Sequence, residues 1–227
     1  MICLEKSYEK VVDFVQEQIL DGVYSTGDKL PSERELAQQL NVSRTSVREG
    51  IRILEQMGAL SCQQGSGNYI TGDFESTLIR VMTLMFAVEG TPYREISEFR
   101  FALEYQALSL AVHHVTEEQM NEMEYHMSML ETAQEENVRS KHDKRIHYLL
   151  VEASHNNYLI VNFLALTQVL DKYVKDMRVR ILKDEKNREG LMQTHRDLIK
   201  AVKEKDVQFG QDALNRHFVY IYNYLDS

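Results

Sequence analysis

The sequence predicts a mainly α protein: a small three-helix unit carrying a two-stranded wing, followed by a larger helical bundle. Three observations point there. The chain of 227 residues has only two prolines and ten glycines, too few for a protein of short strands and loops. Apolar residues recur at helical spacing along most of its length. One short stretch, residues 60–71, breaks that rhythm with extended candidates around a glycine-rich turn.

Taken in order, Val11, Phe14, Val15, Ile19 and Leu20 share a face of a helix over 7–20, and Asp21-Gly22 ends it. Gly27-Asp28 makes a second turn. Ser32 caps a helix over 33–40, with Glu35 at capping-box spacing. Asn41-Val42-Ser43 is a tight break, and Ser43 caps a third helix carrying Val47, Ile51, Leu54 and Met57, closed by Gly58. Residues 60–64 and 68–71 are strand candidates joined by Gly65-Ser66-Gly67, and Gly72-Asp73 is a linker. A first domain over 1–72 and a second over 76–227 follow. In the second, helices are expected at 76–89, 94–113, 117–132, 137–153, 156–183, 188–204 and 207–225. Thr91-Pro92 and the Thr116/Gln119 pair mark starts, and Asn156-Asn157 marks a break.

Acids outnumber Lys and Arg by 35 to 26, a formal charge of -9. Such a surface repels nucleic acid overall, so binding to it requires a local basic patch. Two cysteines cannot build a disulfide framework. The first residues lack the apolar core of a signal peptide. The most apolar run, 78–88, is interrupted by Arg80 and is too short to span a bilayer. These features disfavour secreted, membrane-spanning and disordered classes. The expectation is a cytoplasmic protein with no membrane partner.

The two short helices around Asn41-Val42-Ser43 have helix-turn-helix spacing, and the second would enter the major groove of DNA N-terminus first. Arg44 and Arg48 are four apart and share a face. Ser43, Thr45 and Ser46 add hydroxyl donors, the free amides of the first turn suit a phosphate, and Arg34 lies on the preceding helix. Residues 29–52 hold five basic side chains against three acidic ones, a patch of the required sign. The same geometry also occurs in purely structural contexts. Residues 8–71, however, resemble the winged helix-turn-helix domain of GntR-family bacterial transcription regulators. The likeness runs through Leu30-Pro31-Ser32-Glu33-Arg34-Glu35-Leu36-Ala37, Val42-Ser43-Arg44-Thr45-Ser46-Val47-Arg48-Glu49, Gly58 and Gly65-Ser66-Gly67. What it implies is DNA contact by Arg34, Arg44 and Arg48, helped by Ser43, Thr45 and the wing at Gly67. The partner would be a palindromic double-stranded operator.

In the second half, Asp143 and His147 stand at i and i+4 beside Ile146 and Leu150, so both can point into the bundle. His195 lies near Leu191, Leu198 and Val202, and His217 between Leu214 and Phe218. One carboxylate and three imidazoles from three helices suit Zn, Ni or Mn and offer too few oxygens for calcium. Spacing alone leaves open that these are core histidines bonded locally.

Residues 76–225 resemble the FCD-type effector domain of the fatty-acid-regulator-like GntR subfamily. Three pieces carry the likeness. They are Phe99-Arg100 with Leu103-Glu104; Asp143, Ile146-His147, Ala153-Ser154 and Asn156; and His195, Leu198-Ile199, Ala201-Val202, Asp206, Ala213 and His217. The resemblance implies an all-helical antiparallel bundle of about six or seven helices that forms a homodimer. It also implies one divalent transition metal per chain on Asp143, His147, His195 and His217, with zinc the first choice. Arg100 would clamp a small carboxylate effector, helped by Asn156. Arg100 and Glu104, four apart, also fit a plain intrahelical salt bridge. His155 occupies a position where the subfamily carries glycine. The expected function is a ligand-responsive regulator and not an enzyme, in its simplest form a repressor released by an organic acid. A DNA-binding protein with a purely structural bundle, or a metal-dependent enzyme using Glu104 or Glu152, are the other classes.

Overall fold

A computed structural model describes residues 6–89, 93–167, 178 and 185–225. The chain divides into two compact units, Met1–Arg80 and Val81–Ser227.

The first unit is built from α1 (Glu9–Leu20), α2 (Glu33–Gln39), α3 (Arg44–Gln56), β1 (Leu60–Gln63) and β2 (Gly67–Ile70). The capping signals of the sequence are realised. Ser32 Oγ accepts from the Glu35 amide at 3.3 Å while Glu35 accepts from the Ser32 amide at 2.8 Å, and Ser43 Oγ accepts from the Ser46 amide at 3.1 Å. Each such cap satisfies amides that have no partner inside the helix. The strands pair antiparallel, Leu60 opposite Ile70 and Gln63 opposite Gly67, and the Lys29–Leu30 segment adds a bridge to Tyr69. Val11, Val15, Leu36, Val47 and Leu54, all fully buried, form the centre of the core. Gly58, at φ +84°, ends α3 where a Cβ would stand 2.1 Å from the Asp73 carbonyl oxygen, so the approach of 73 to the helix end requires glycine. α4 (Glu75–Glu89) starts in this unit. Its Thr77 and Arg80 side chains donate to the Gln56 carbonyl at 2.9 and 3.2 Å, using an acceptor the end of α3 leaves open.

The second unit is all helix: α5 (Tyr93–His114), α6 (Glu117–Thr132), α7 (Glu136–Glu152), α8 (described over 157–167), α9 (Glu185–Glu204) and α10 (Val207–Leu225), with the second half of α4. Side-chain pairs fix the helix directions. Glu122–Arg145 and His126–His142 make α6 and α7 antiparallel. Glu124–Lys203 with Glu131–Arg196 do so for α6 and α9, and Thr194–His217 with Asp197–Arg216 for α9 and α10. α5 and α7, by contrast, run parallel: Glu104 meets His147, and His114 meets the Ser154 carbonyl. Leu108, Val112, Leu130, Leu149, Leu214 and Phe218 fill the space between them. The Thr116/Gln119 capping box forms as expected.

The break before α8 is made by His155, which adopts φ +52°. That left-handed conformation favours glycine, and histidine is among the side chains that tolerate it. The bulk at 155 therefore keeps the turn and strains it. Of the helix expected over 156–183, residues 157–167 are helical; 168–177 and 179–183 lie outside the described residues, as does Thr91-Pro92.

Candidate functional site

In the first unit the N-terminal turn of α3 presents exposed Arg44, Thr45 and Arg48, with Ser43 at the cap. Glu33, on α2, lies between the two arginines: its Oε2 is 3.5 Å from Arg44 Nη2 and accepts from Arg48 Nε at 2.8 Å. The arginines are thus held side by side, and a phosphate would compete with that carboxylate. Arg34 is exposed and makes no ion pair among the described residues. Gly67 adopts φ +126° at the wing, where a Cβ would come within 2.7 Å of Lys29 Cε. The wing and the start of α2 enclose a groove of about 940 Å³ lined by Lys29, Ser32, Gly65 and Asn68, open and of mixed polarity.

In the second unit, α7, α9 and α10 bring His147, His195 and His217 together. All three are 1–3% exposed, and one nitrogen from each lies within 4.8 Å of the others. The outward nitrogen of every ring has a partner. His147 Nδ1 faces Glu104 Oε2 at 2.6 Å. His195 Nδ1 faces the Leu191 carbonyl at 2.9 Å. His217 Nδ1 faces Thr194 Oγ1 at 3.1 Å, and that hydroxyl donates to the Leu191 carbonyl at 2.7 Å. A carbonyl and an ionised carboxylate only accept, and a hydroxyl already donating must accept as well. Nδ1–H is therefore the proton-bearing position on His147 and His217, whose Nε2 lone pairs are left for the centre; His195 faces acceptors on both nitrogens, the Leu191 carbonyl at Nδ1 and the Asp143 carboxylate at Nε2, so an ion there would replace a proton between His195 and Asp143. This is the arrangement by which metal-binding histidines are oriented. A buried group of three histidines able to hold a divalent metal is present.

Asp143 stands at its edge. Its Oδ1 is 2.9 Å from His195 Nε2, and His195 Nε2 is 3.3 Å from His147 Nε2. Two ligands each ~2.1 Å from an ion lie about 3.0 Å apart at a right angle and about 3.4 Å apart at the tetrahedral angle, so these spacings fit edges of a coordination shell. The same carboxylate accepts from Arg178, which also donates to Glu136 at 2.8 Å.

Burial dominates the electrostatics. It lowers the pKa of His147 and, together with the neighbouring His195 and His147, pushes His217 well below the usual histidine range. Both imidazoles are thus neutral, the metal-binding form. For Asp143 burial works upward, but Arg178 and His195 outweigh it and hold the carboxyl well below its ordinary value. Glu104 is likewise held low against burial by His147 and Arg100.

Arg100 donates through Nε to Glu104 Oε1 at 2.7 Å, the salt bridge that its spacing allows, and lies over the Phe218 ring at 5.6 Å. Among the described residues its two terminal nitrogens have no partner, although the residue is only 6% exposed. Asn156 is a helix cap: its Oδ1 accepts from the amides of Tyr158 and Leu159. Three members of this constellation were not assigned to it by sequence reasoning: Glu104 as the partner of His147, Thr194, and Arg178. A buried acid at i+4 from Arg100 was the available hint for the first; the other two gave none.

Comparison with known proteins agrees with both halves. Residues 7–70 match the bacterial regulatory proteins of the gntR family, and residues 95–219 match the FCD domain. The chain is a GntR-family regulator with an FCD domain. It is similar to the Exu regulon transcriptional regulator of Escherichia coli (strain K12), at 28% identity over 92% of this chain and 81% of that protein. The Uxu operon transcriptional regulator of the same strain is 24% identical over 94% and 84%. In fold it is similar to Streptococcus agalactiae GntR, with a TM-score of 0.60 at 24% identity over 95% of this chain and 99% of the other. It is accordingly a DNA-binding transcriptional regulator. Among the described residues no helix is long and apolar enough to cross a membrane.

Proposed function

We propose that this GntR-family chain is a homodimeric cytoplasmic repressor, released from a palindromic operator by a small carboxylate bound in the helical domain. The domain over 1–72 would bind DNA and that over 76–227 would sense and dimerise. On the DNA side, Arg44 and Arg48 would leave Glu33 for base edges or phosphates, with Arg34, Ser43, Thr45 and the backbone at Gly67 positioning the head. On the sensing side, His147, His195, His217 and Asp143 would hold one divalent ion. Three nitrogens and one carboxylate suit zinc, and nickel or manganese are compatible. The ion supplies a positive centre that accepts a carboxylate oxygen.

The observation that carries this reading is the buried Arg100, whose outer nitrogens have no partner. A guanidinium in that state is costly unless an anion completes it, and its charge already bears on both His147 and His217. One end of an effector carboxylate would take this fork. Dimerisation is supported by an apolar stripe on α4: Val81, Leu84, Met85 and Val88 recur at i, i+3, i+4 and i+7 and are all exposed. Such a stripe is the spacing of a helix face that packs on a partner. Effector and operator would then weaken each other by the same factor.

The test is operator binding by the purified, metal-loaded protein with a panel of organic acids, before and after chelation. The reading predicts that an acid releases the DNA, that chelation abolishes this release, and that Arg100→Ala does so too while the metal stays bound. Release by an acid that is indifferent to both changes would defeat it.

A further inference from the structure

Outside the buried centre, a second pair of histidines meets between α6 and α7. His126 Nδ1 lies 2.7 Å from His142 Nδ1, with the ring centroids 4.9 Å apart. Two imidazole nitrogens at that distance share one proton at most, one ring donating and the other accepting. The pair is open to solvent: His126 keeps 16% of its side-chain surface exposed, and His142 is half-buried.

The neighbouring side chains hold both rings in place. Glu122 stands one turn before His126 on α6, its Oε1 3.7 Å from His126 Nε2. The same oxygen accepts from Arg145 of α7, from Nε at 3.1 Å and from Nη2 at 2.7 Å, so the carboxylate is itself pinned across the helix pair. Tyr125 packs edge-on against both rings, 5.2 Å from His126 and 6.2 Å from His142 between centroids. A carboxylate behind one ring nitrogen keeps the proton on that side and leaves the other nitrogen as a lone pair, the way ligating histidines are oriented. His126 is thus set to turn its Nδ1 lone pair toward α7, where His142 Nδ1 meets it. Two nitrogens bound to one ion stand about 3.0–3.4 Å apart, so the rings need to part by only about 0.3–0.7 Å to admit one.

We propose that His126 and His142 form a second transition-metal site, which takes zinc, nickel or copper(II) through both Nδ1 atoms. Imidazole pairs suit these ions, and water completes the shell on the open side. The entering ion sends the proton shared by the two rings to solvent. The site differs from the group of His147, His195 and His217 in its helices and in its exposure, so its ion exchanges with the medium. It also ties α6 to α7 beside Asp143, and it stands independently of the function proposed above.

The experiment is a calorimetric zinc titration of the full-length protein, first freed of metal by a chelator, with metal per chain measured after dialysis. The parent should take up two zinc ions, and His126→Ala and His142→Ala should each take up one fewer. His217→Ala should still take up the ion held by His126 and His142. Glu122→Ala should weaken that ion on the order of tenfold or more, as loss of a group orienting a ligand does, while leaving the buried ion unchanged. If the buried centre holds no zinc, the parent and His217→Ala both take up one ion, and its loss in the His126 and His142 variants still supports the site. Zinc uptake that disappears entirely in His217→Ala overturns it. Uptake that both His126→Ala and His142→Ala leave unchanged overturns it as well.

Discussion

The two charged centres of this protein use ions in opposite ways. In the winged unit, Arg44 and Arg48 share Glu33 at the surface, with side chains about 60% exposed. In the helical unit, Arg100, Glu104, His147, His195, Asp143 and Arg178 form a connected chain of contacts in the interior, every member less than 10% exposed. Water screens the first set, so its pairs contribute little to folding and are free to change partners. The second is shielded, and removing one member strands its neighbours. On the function proposed above, one centre would exchange ions with DNA, and the other would keep them fixed until a ligand of matching charge arrives.

The largest expected effect follows from that contrast. Glu104→Ala leaves both Arg100 and His147 without their carboxylate in the interior and should destabilise the protein by about 3–5 kcal/mol, read as a shift of the denaturant midpoint. A change within the range of surface substitutions would break the comparison.

Next, Arg44→Ala and Arg48→Ala should each weaken operator binding by about 1–3 kcal/mol while moving stability by less than about 0.5 kcal/mol. Loss of folding in either variant would show that the surface set carries structural load.

A pH series on chelated protein sharpens the contrast further. His147 and His217 have folded pKa values below the ordinary ~6.5. As pH falls through that value, the unfolded chain takes up protons that the folded chain refuses, and stability drops. Asp143 and Glu104 are held low. Their contribution is present above the ordinary carboxyl pKa of ~4 and is lost as pH falls through their depressed values. Thermal unfolding of the helical unit should therefore weaken in two stages on acidification, histidines first. A melting temperature that rises between pH 7 and pH 5.5 contradicts the burial of these rings.

The smallest effect concerns the turn before α8. His155→Gly relieves the left-handed strain at φ +52° and should be neutral or stabilising by up to about 1 kcal/mol, measured by the same denaturant titration. Destabilisation would mean that the ring's weak contacts to Gln119 and His114 outweigh the backbone strain.

The winged unit was legible in the sequence because its signals are local: a cap and its partner three residues on, a glycine closing a helix, a turn of small residues between strands. The histidine centre was legible only in part. Asp143 and His147 announce themselves at i, i+4, but His195 and His217 lie 48 and 70 residues beyond His147, and spacing does not say which helices face one another. Glu104 shows the limit well. Next to Arg100 it reads as half of a salt bridge; only the parallel packing of α5 on α7 reveals that its other oxygen holds a histidine. Arg178 gave no signal at all, because its partners Glu136 and Asp143 sit 42 and 35 residues away.

One main-chain atom has a disproportionate hold on the helical unit. The Leu191 carbonyl receives both the His195 ring and the Thr194 hydroxyl that steadies His217. Because this acceptor is peptide oxygen, side-chain replacement at 191 does not delete it, so two of the three imidazoles keep their orientation through ordinary sequence drift. The vulnerability lies in the winding of α9: a proline or a local unwinding near that turn would misalign both rings at once, a double failure from a single change.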